Sequence, residues 1–520
     1  MLRIGSILTA LLLTVQVHAR ELTVGLGGAF TAIDPHFHNT APNIALSRHF
    51  FDPLILQNED QQLLPGLATG WRTIDDLTWE FALRRGVKFH DGSDFTANDV
   101  AFTLRRAANV PNSPSGFGIY IRQVKEITVV DDYTIRLTTV TPYPQLPRDM
   151  STFGIVAHGV AQFATTADFA TGRAMIGTGP FKFVEWLPGD HVTMIRNENY
   201  WGERPAWDRV TFKLVTNDRA RVAGFLSGEF DIIENVPTND IETLRVRENI
   251  ALASRATNRL IYLGMDVSRD QSPSITDRAG NVLAHNPLKD VRVRQAISKA
   301  INRAAIVEKV MSGMAVPASQ LMPAGFFAVT PNLQVEKFDP EGARRLLREA
   351  GNGDGFAVTL HCPNDAYVND EQICLAIAQM LGRVGIMAEV RAMPRSVHTQ
   401  LRVNRQTSFW LVGWSSETGE PSGPLKAIFA TYDRATGWGA TNFGRYSNPE
   451  FDAVLTRALA TIDDSIREKL LERATEIAIS DVAIVPLHHQ VSVWGMRKSI
   501  RYTPRADDFT LAHLVQPVMK

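Results

Sequence analysis

"LTWEFALRRGVKFHDGSDFTANDVAFTL" runs from Leu77 to Leu104. Its first residues alternate apolar and polar, the period of a strand with one buried face. Gly86 and Gly92 predict tight turns, because glycine alone enters the left-handed backbone region without strain. Thr96 can then cap a helix on which Val100, Leu104 and Ala107 recur at helical spacing. A strand, a turn and a helix follow one another within one short stretch. Inside it lies a dense block of charge, Arg84-Arg85-Gly86-Val87-Lys88-Phe89-His90-Asp91-Gly92. Such a block could be a catalytic centre, a basic patch or scaffold, and the surrounding chain has to decide.

Working outward, the first third alternates strands and turns. "ELTVGLGG", "VKEITVVDD" and "YTIRLTTV" read as strands, and "GTGPFKFVEWLPGDHVTMIRNENYWG" as a β-hairpin turned at Pro-Gly. From about Leu260 helices dominate. "VRVRQAISKAINRAAIVEKVM" has the apolar stripe of a single amphipathic helix. "DPEGARRLLREAG" has an Asp cap, Pro at the first turn and Gly at the end. "EQICLAIAQMLGRVGIMAEV" reads as helix, turn and strand, and two further helices lead to a strand at "VAIVPLHH". The fold class is α/β. No repeat period and no low-complexity linker divide the chain.

The chain has 520 residues, 44% of them apolar, enough for two or three domains. Charge is balanced, 54 Lys+Arg against 55 Asp+Glu. Phosphate neutralisation supplies much of the affinity for nucleic acid, and no basic excess is present for it, so no nucleic-acid partner is expected. The N-terminus carries Arg3, an apolar run from Ile4 to Val17 and then Val17-His18-Ala19. This is the pattern of a secretory signal peptide over residues 1–19, cleaved after Ala19. No cysteine stands there to carry a lipid, and no later run is long enough to span a bilayer. A soluble exported product follows. Export allows a disulfide between Cys362 and Cys374; two buried free thiols are the alternative.

Catalytic signatures are missing: there is no G-x-x-x-x-G-K-[ST], G-x-S-x-G, H-E-x-x-H or C-x-x-C. Pro180 interrupts the N–H donors that a phosphate loop would need, so "GTGPFK" reads as a turn. His36, His38 and the pair His488-His489 could ligate a metal through imidazole nitrogen; they could equally be interior residues. No cofactor is expected.

Four blocks in order then carry a resemblance: Leu63–Leu104, Ile176–Gly202, "LKDVRVRQAISKAINRAAIVEKV" and "GW…TGEPSGPL". Together they resemble the extracytoplasmic solute-binding proteins of ABC transporters, family 5, which carry peptides, nickel and related solutes. The resemblance implies a two-lobed periplasmic binding protein fold of type II, in its large class with an extra subdomain, its lobes joined by hinge strands. Lobe one would hold residues 20–257 and 484–520, with an inserted subdomain at about 51–175, and lobe two 258–483. It implies no enzyme but a monomeric binding protein in the periplasm. Its partners would be a peptide or peptide-like solute and the permease and ATPase of an ABC importer. A nickel or metal-chelate binder, and a secreted hydrolase, are the alternatives. The charged block of the opening stretch would be scaffold.

The resemblance also places a site. The family's acid for a ligand ammonium, three residues after the Trp of "GW", falls on Glu417, where the pattern has Asp. Gly413 and Trp414 would line the ligand, and Glu420 is a second acid. Tyr367 matches a family Tyr. Two residues before it, where dipeptide binders hold the ligand carboxylate with Arg, stands Asp365. Asp365 is then a cation-binding acid or a turn residue, and Arg391, Arg395 and Arg402 are candidates for the carboxylate.

Overall fold

The computed structural model describes residues 19–518; the signal-peptide reading falls largely outside them. The opening stretch folds as a strand, Thr78–Leu83, with Trp79, Phe81 and Leu83 buried and the intervening residues turned outward. It pairs antiparallel with Ala68–Thr73 and Thr134–Thr139, and the latter with Val124–Asp131, closing a four-stranded sheet. The helix Ala97–Ala108 lies against it. Its start is fixed by a capping box, in which the Thr96 N–H donates to Asp99 Oδ2 at 2.8 Å. Val100, Leu104 and Ala107 bury into the same core as Phe81 and Leu137.

The charged block is tied into this scaffold. Arg84 donates to Gly66 O (3.0 Å) and lies over the Trp201 ring, and Lys88 pairs with Asp94 at 2.6 Å. The buried His90 ring hydrogen-bonds Gly179 O at 3.0 Å and receives the Gly177 N–H at 3.3 Å. Gly86 and Gly92 have φ of 76° and 91°, the region the turns require.

A twelve-stranded sheet runs through the molecule. In the first lobe, Glu21–Leu26 lies parallel to Arg209–Leu214 and Ile232–Ile233, and the hairpin Phe181–Leu187/His191–Arg196 extends the edge. In the second, Phe356–Pro363 lies parallel to Ile386–Met393 and Phe409–Trp414. Apolar runs here are continuous because both sheet faces are covered. Ile261, Leu263, Phe409 and Leu411 enter one core, while Leu260, Tyr262, Trp410 and Val412 enter another on the opposite face.

Two long antiparallel strands, Ile250–Met265 and Ile484–Arg497, join the lobes. Their ladder runs from Ile250↔Arg497 to Gly264↔Ile484 and breaks between Ala256 and Leu260. The interruption is satisfied by side chains: Thr257 Oγ1 donates to Gln490 O (3.1 Å) and the Asn258 amide to Ser416 O (2.7 Å). A break in the register of the shared ladder is a place where two rigid bodies can turn.

One expected helix differs. The run from Val291 to Met311 is a helix only over Val291–Ala300; Ile301 is extended, and a new turn starts at Arg303. Asn302 causes the break, because its side chain accepts the Ala305 N–H at 2.9 Å and so caps a new helix. Arg303 is thereby turned inward, donating to Pro486 O (2.7 Å) and Ser298 Oγ (2.9 Å). Cys362 and Cys374 form a disulfide with their Cα atoms 6.6 Å apart, joining Phe356–Pro363 to the helix Asp370–Gly382.

Candidate ligand-binding cleft

The strand Phe409–Trp414 ends at the mouth of the interlobe space, with Gly413 opposite Ile261 and Trp414 opposite Leu260. A side chain at Gly413 would collide, since a Cβ there would lie 2.7 Å from Tyr367 Cε1 and 2.9 Å from Ile261 Cδ1. The Tyr367 ring therefore packs flat against the chain, its hydroxyl 3.4 Å from Gly413 O. The loop that follows is held from the other lobe and from the hinge. Gln61 Nε2 donates to Ser416 O (3.1 Å) and Gln57 Nε2 to Glu417 O (3.2 Å). This clamps the Glu417 backbone and leaves its side chain to the cleft.

The cleft encloses ≈ 2290 Å³, and residues of both lobes and of the hinge line it. Gly413, Trp414, Glu417, Tyr367 and Asp365 are all on its wall, as are Arg395 and Arg402. Among the described residues the Glu417 carboxylate has neither an ion-pair partner nor a hydrogen bond. Burial pushes its pKa up to about 7, against the pull of Arg259 and Arg48 and with the repulsion of Asp507 and Asp508. Arg402, on the helix Arg395–Val403, is the reverse case. Its Nε is buried without an acceptor, and among the described residues its one side-chain hydrogen bond is a long 3.5 Å approach to Thr399 Oγ1. Burial lowers its pKa, and the ring of Phe443 lies 5.6 Å away. Among the described residues Glu417 and Arg402 are thus an acid and a guanidinium of the cleft wall that form no ion pair.

The other candidates fall differently. Glu420 is off the cleft wall, fully buried between Arg467 (2.8 Å) and Arg148 (3.0 Å) and touched by the Ser422 hydroxyl. An acid spent on two guanidiniums is not free for a ligand. Asp365 is exposed, and its Oδ1 accepts the Arg395 N–H at 2.6 Å, so it secures the start of a helix. Arg391 is outside the cleft, 3.6 Å from Glu389. His36 is engaged at both nitrogens, by Gly154 O (2.9 Å) and Arg106 Nη1 (2.8 Å), and His38 meets Thr31 at 2.6 Å. His488 and His489 are buried in the return strand, where burial lowers their pKa to about 4 and about 3. Among the described residues no group of three or more His, Cys, Asp or Glu could hold a metal. No described helix is long and apolar enough to cross a membrane. Sequence reasoning missed Arg259, on the cleft wall beside Glu417; the broken alternation of "ATNRLIY" marks its place in the ladder interruption.

Two α/β lobes sharing two strands, with a large cleft between them, define a hinged binding protein. Residues 62–436 match the family model of bacterial extracellular solute-binding proteins, family 5 (middle region), and the chain belongs to that family. It is 29% identical over 483 residues to the glutathione-binding protein GsiB of Salmonella choleraesuis (strain SC-B67), covering 90% of this chain and 89% of that one. With GsiB of Escherichia coli (strain K12) it shares 28% over 495 residues, covering 92% and 91%. Among solved structures, the periplasmic binding protein DppA of Helicobacter pylori, in complex with the peptide STSA, superposes with a TM-score of 0.77 at 22% identity, covering 96% of this chain and 98% of that one. NikZ of Campylobacter jejuni, in complex with Ni(L-His), gives 0.78 at 20% identity, covering 95% and 99%. At these identities the two structures share the fold.

Proposed function

We propose that this chain is the periplasmic, non-enzymatic substrate-binding component of an ABC importer. It captures a peptide or peptide-like solute between its lobes and presents the closed form to a membrane permease coupled to an ATPase. The observation that carries the reading is that one cleft is lined by an acid, Glu417, and a guanidinium, Arg402, neither of which has an ion-pair partner among the described residues. A zwitterionic solute brings an ammonium for the first and a carboxylate for the second, and a buried charge needs such a partner. Tyr367, Gly413 and Trp414 form the surface between them. The names of the relatives agree, since GsiB is a glutathione-binding protein and DppA is seen with a peptide. We take the lobes to divide at 257/258 and 483/484, with the subdomain at about 51–175, and the working unit to be a monomer. The core that joins Phe81, Leu104 and Leu137 and the two long shared strands support that division.

The test is native mass spectrometry of protein taken from periplasm, before and after mild unfolding releases its cargo. Peptide or peptide-conjugate masses are the expected result, or, for protein recovered empty, binding of added glutathione or small peptides. A metal-bearing cargo, or a single metabolite without an amino-acid end, would overturn the reading.

A further inference from the structure

The cleft wall carries two further cations besides Arg402, one from each lobe. Arg122 follows the short helix Gly118–Ile121 in the first lobe, and its guanidinium reaches the other lobe: a Cβ built on Gly437 would lie 3.6 Å from its Nη1. Lys426 stands on the second lobe in the π-helical turn Leu425–Phe429, with its Nζ 5.7 Å from the centre of the Trp438 ring. Both line the cleft, and among the described residues neither side chain makes an ion pair or hydrogen bond. Burial lowers the pKa of Lys426, and Arg122 lowers it further, so the two cations feel each other across the gap.

The acid that faces both is Asp149. Among the described residues it forms no ion pair with either. It is deeply buried, the Tyr143 hydroxyl donates to its Oδ2 at 2.6 Å, and burial raises its pKa well above the usual carboxylate range. One turn earlier on the same short segment, Gln145 also lines the cleft. It is 6% exposed, and neither its amide nitrogen nor its amide oxygen has a partner. Two uncompensated cations beside a buried amide that still has donors to give are a receptor for an anion. Arg402 lies against Phe443 and Thr399, whereas Arg122 and Lys426 lie against the neighbouring residues Gly437 and Trp438.

We propose that Arg122, Lys426 and Gln145 form a second carboxylate station, and that the solute is therefore a peptide-like molecule with two free carboxylates. One meets Arg402 and the other bridges the lobes between Arg122 and Lys426. The inference rests on the peptide-like reading of the cleft and narrows it. Because the two cations come from different lobes, their repulsion opposes closure until a second anionic group lies between them. A solute with one carboxylate then closes the cleft poorly.

Calorimetric titration of the cargo-free mature protein tests this, with glutathione and its two monoamides, each lacking one carboxylate, as probes. Glutathione should bind roughly 10- to 100-fold more tightly than either amide, the range of a charge-assisted hydrogen bond. Lys426→Met and Arg122→Gln should each weaken glutathione binding by a similar factor, and Lys426→Arg should retain it. On one amide the penalty of Lys426→Met should vanish while that of Arg402→Met persists; on the other amide the reverse should hold. Arg122 is exposed, so Arg122→Gln keeps the test open should the Lys426 variant misfold. Equal penalties on all three probes, or none, would overturn the second station while leaving the peptide reading intact. Wild-type protein that binds small peptides but prefers no diacid would do the same. Protein that binds no amino-acid-based solute would overturn both.

Discussion

At the scale of single residues, the proposed ammonium partner is Glu417, on the cleft wall. An ordinary glutamate has a pKa of 4.5, and here burial raises it to about 7. A ligand ammonium requires the ionised form, so affinity for an ammonium-bearing solute should be level above pH 7. Below it, affinity should fall by up to about tenfold per pH unit, read by calorimetric titration between pH 5.5 and 8. Stability carries the opposite sign. A raised folded-state pKa favours the fold fully below the unfolded value, and that contribution is lost as pH rises through 7. Glu417→Gln should therefore stabilise the empty protein at pH 8 by about 1–3 kcal/mol, show little gain at pH 4, and bind solute more weakly. Thermal melts at the two pH values check the first part; a Gln variant that bound as tightly as wild type would remove Glu417 from the site. Gly413→Ala is a second test. Its Cβ would lie 2.7 Å from Tyr367 Cε1, so the ring must leave the wall, and affinity should drop at least about tenfold with helical content unchanged.

At the scale of elements, the disulfide positions part of the site. Cys362 closes a strand, Cys374 sits in the following helix, and the loop between them carries Asp365 and Tyr367. Closing so short a loop restricts the unfolded chain, and its loss should cost roughly 3 kcal/mol, measured as a lower midpoint of denaturant unfolding after reduction. If the midpoint did not move, the staple would add nothing to the fold. The elements themselves were largely legible. The strand Thr78–Leu83 and the helix Ala97–Ala108 follow from alternation and from a capping box, both local effects. The run from Val291 misled because an apolar stripe continues through Asn302. Asn302 stops the helix by capping the next one, and contact with Pro486 and Ser298 shows why Arg303 turns inward.

For the whole molecule, the contact between lobes beside the hinge is electrostatic as well as covalent. Glu420 of the second lobe lies between Arg467 of its own lobe and Arg148 of the first, and Arg148 also donates to Thr418 O at 3.2 Å. Removing the acid leaves Arg148 without its ion-pair partner and Arg467 with only the exposed Asp464, 2.9 Å away, among the described residues. Glu420→Ala should cost about 3–5 kcal/mol in equilibrium unfolding, whereas a ligand-contacting acid would chiefly cost affinity. A variant with full stability and lost binding would return Glu420 to the site. Solute should also favour the closed arrangement, because only there do both walls reach it. Small-angle scattering should accordingly show a smaller radius of gyration with glutathione or peptide than without.

The sequence by itself determined the alternation of strands and helices, the turns at Gly86 and Gly92, the family and the position of Glu417 in its loop. These depend on local backbone preference, apolar period and ordered motifs, all written in consecutive residues. It did not decide which of Glu417 and Glu420 is free, because both are acids in one loop and differ only in what Arg148 and Arg467, distant in the chain, bring to one of them. Nor did it separate Arg391, which lies outside the cleft, from Arg395 and Arg402 on its wall, or bring Arg122 and Lys426 to that wall. Burial and pairing of charge are set by packing between segments hundreds of residues apart, so only the tertiary structure decided them.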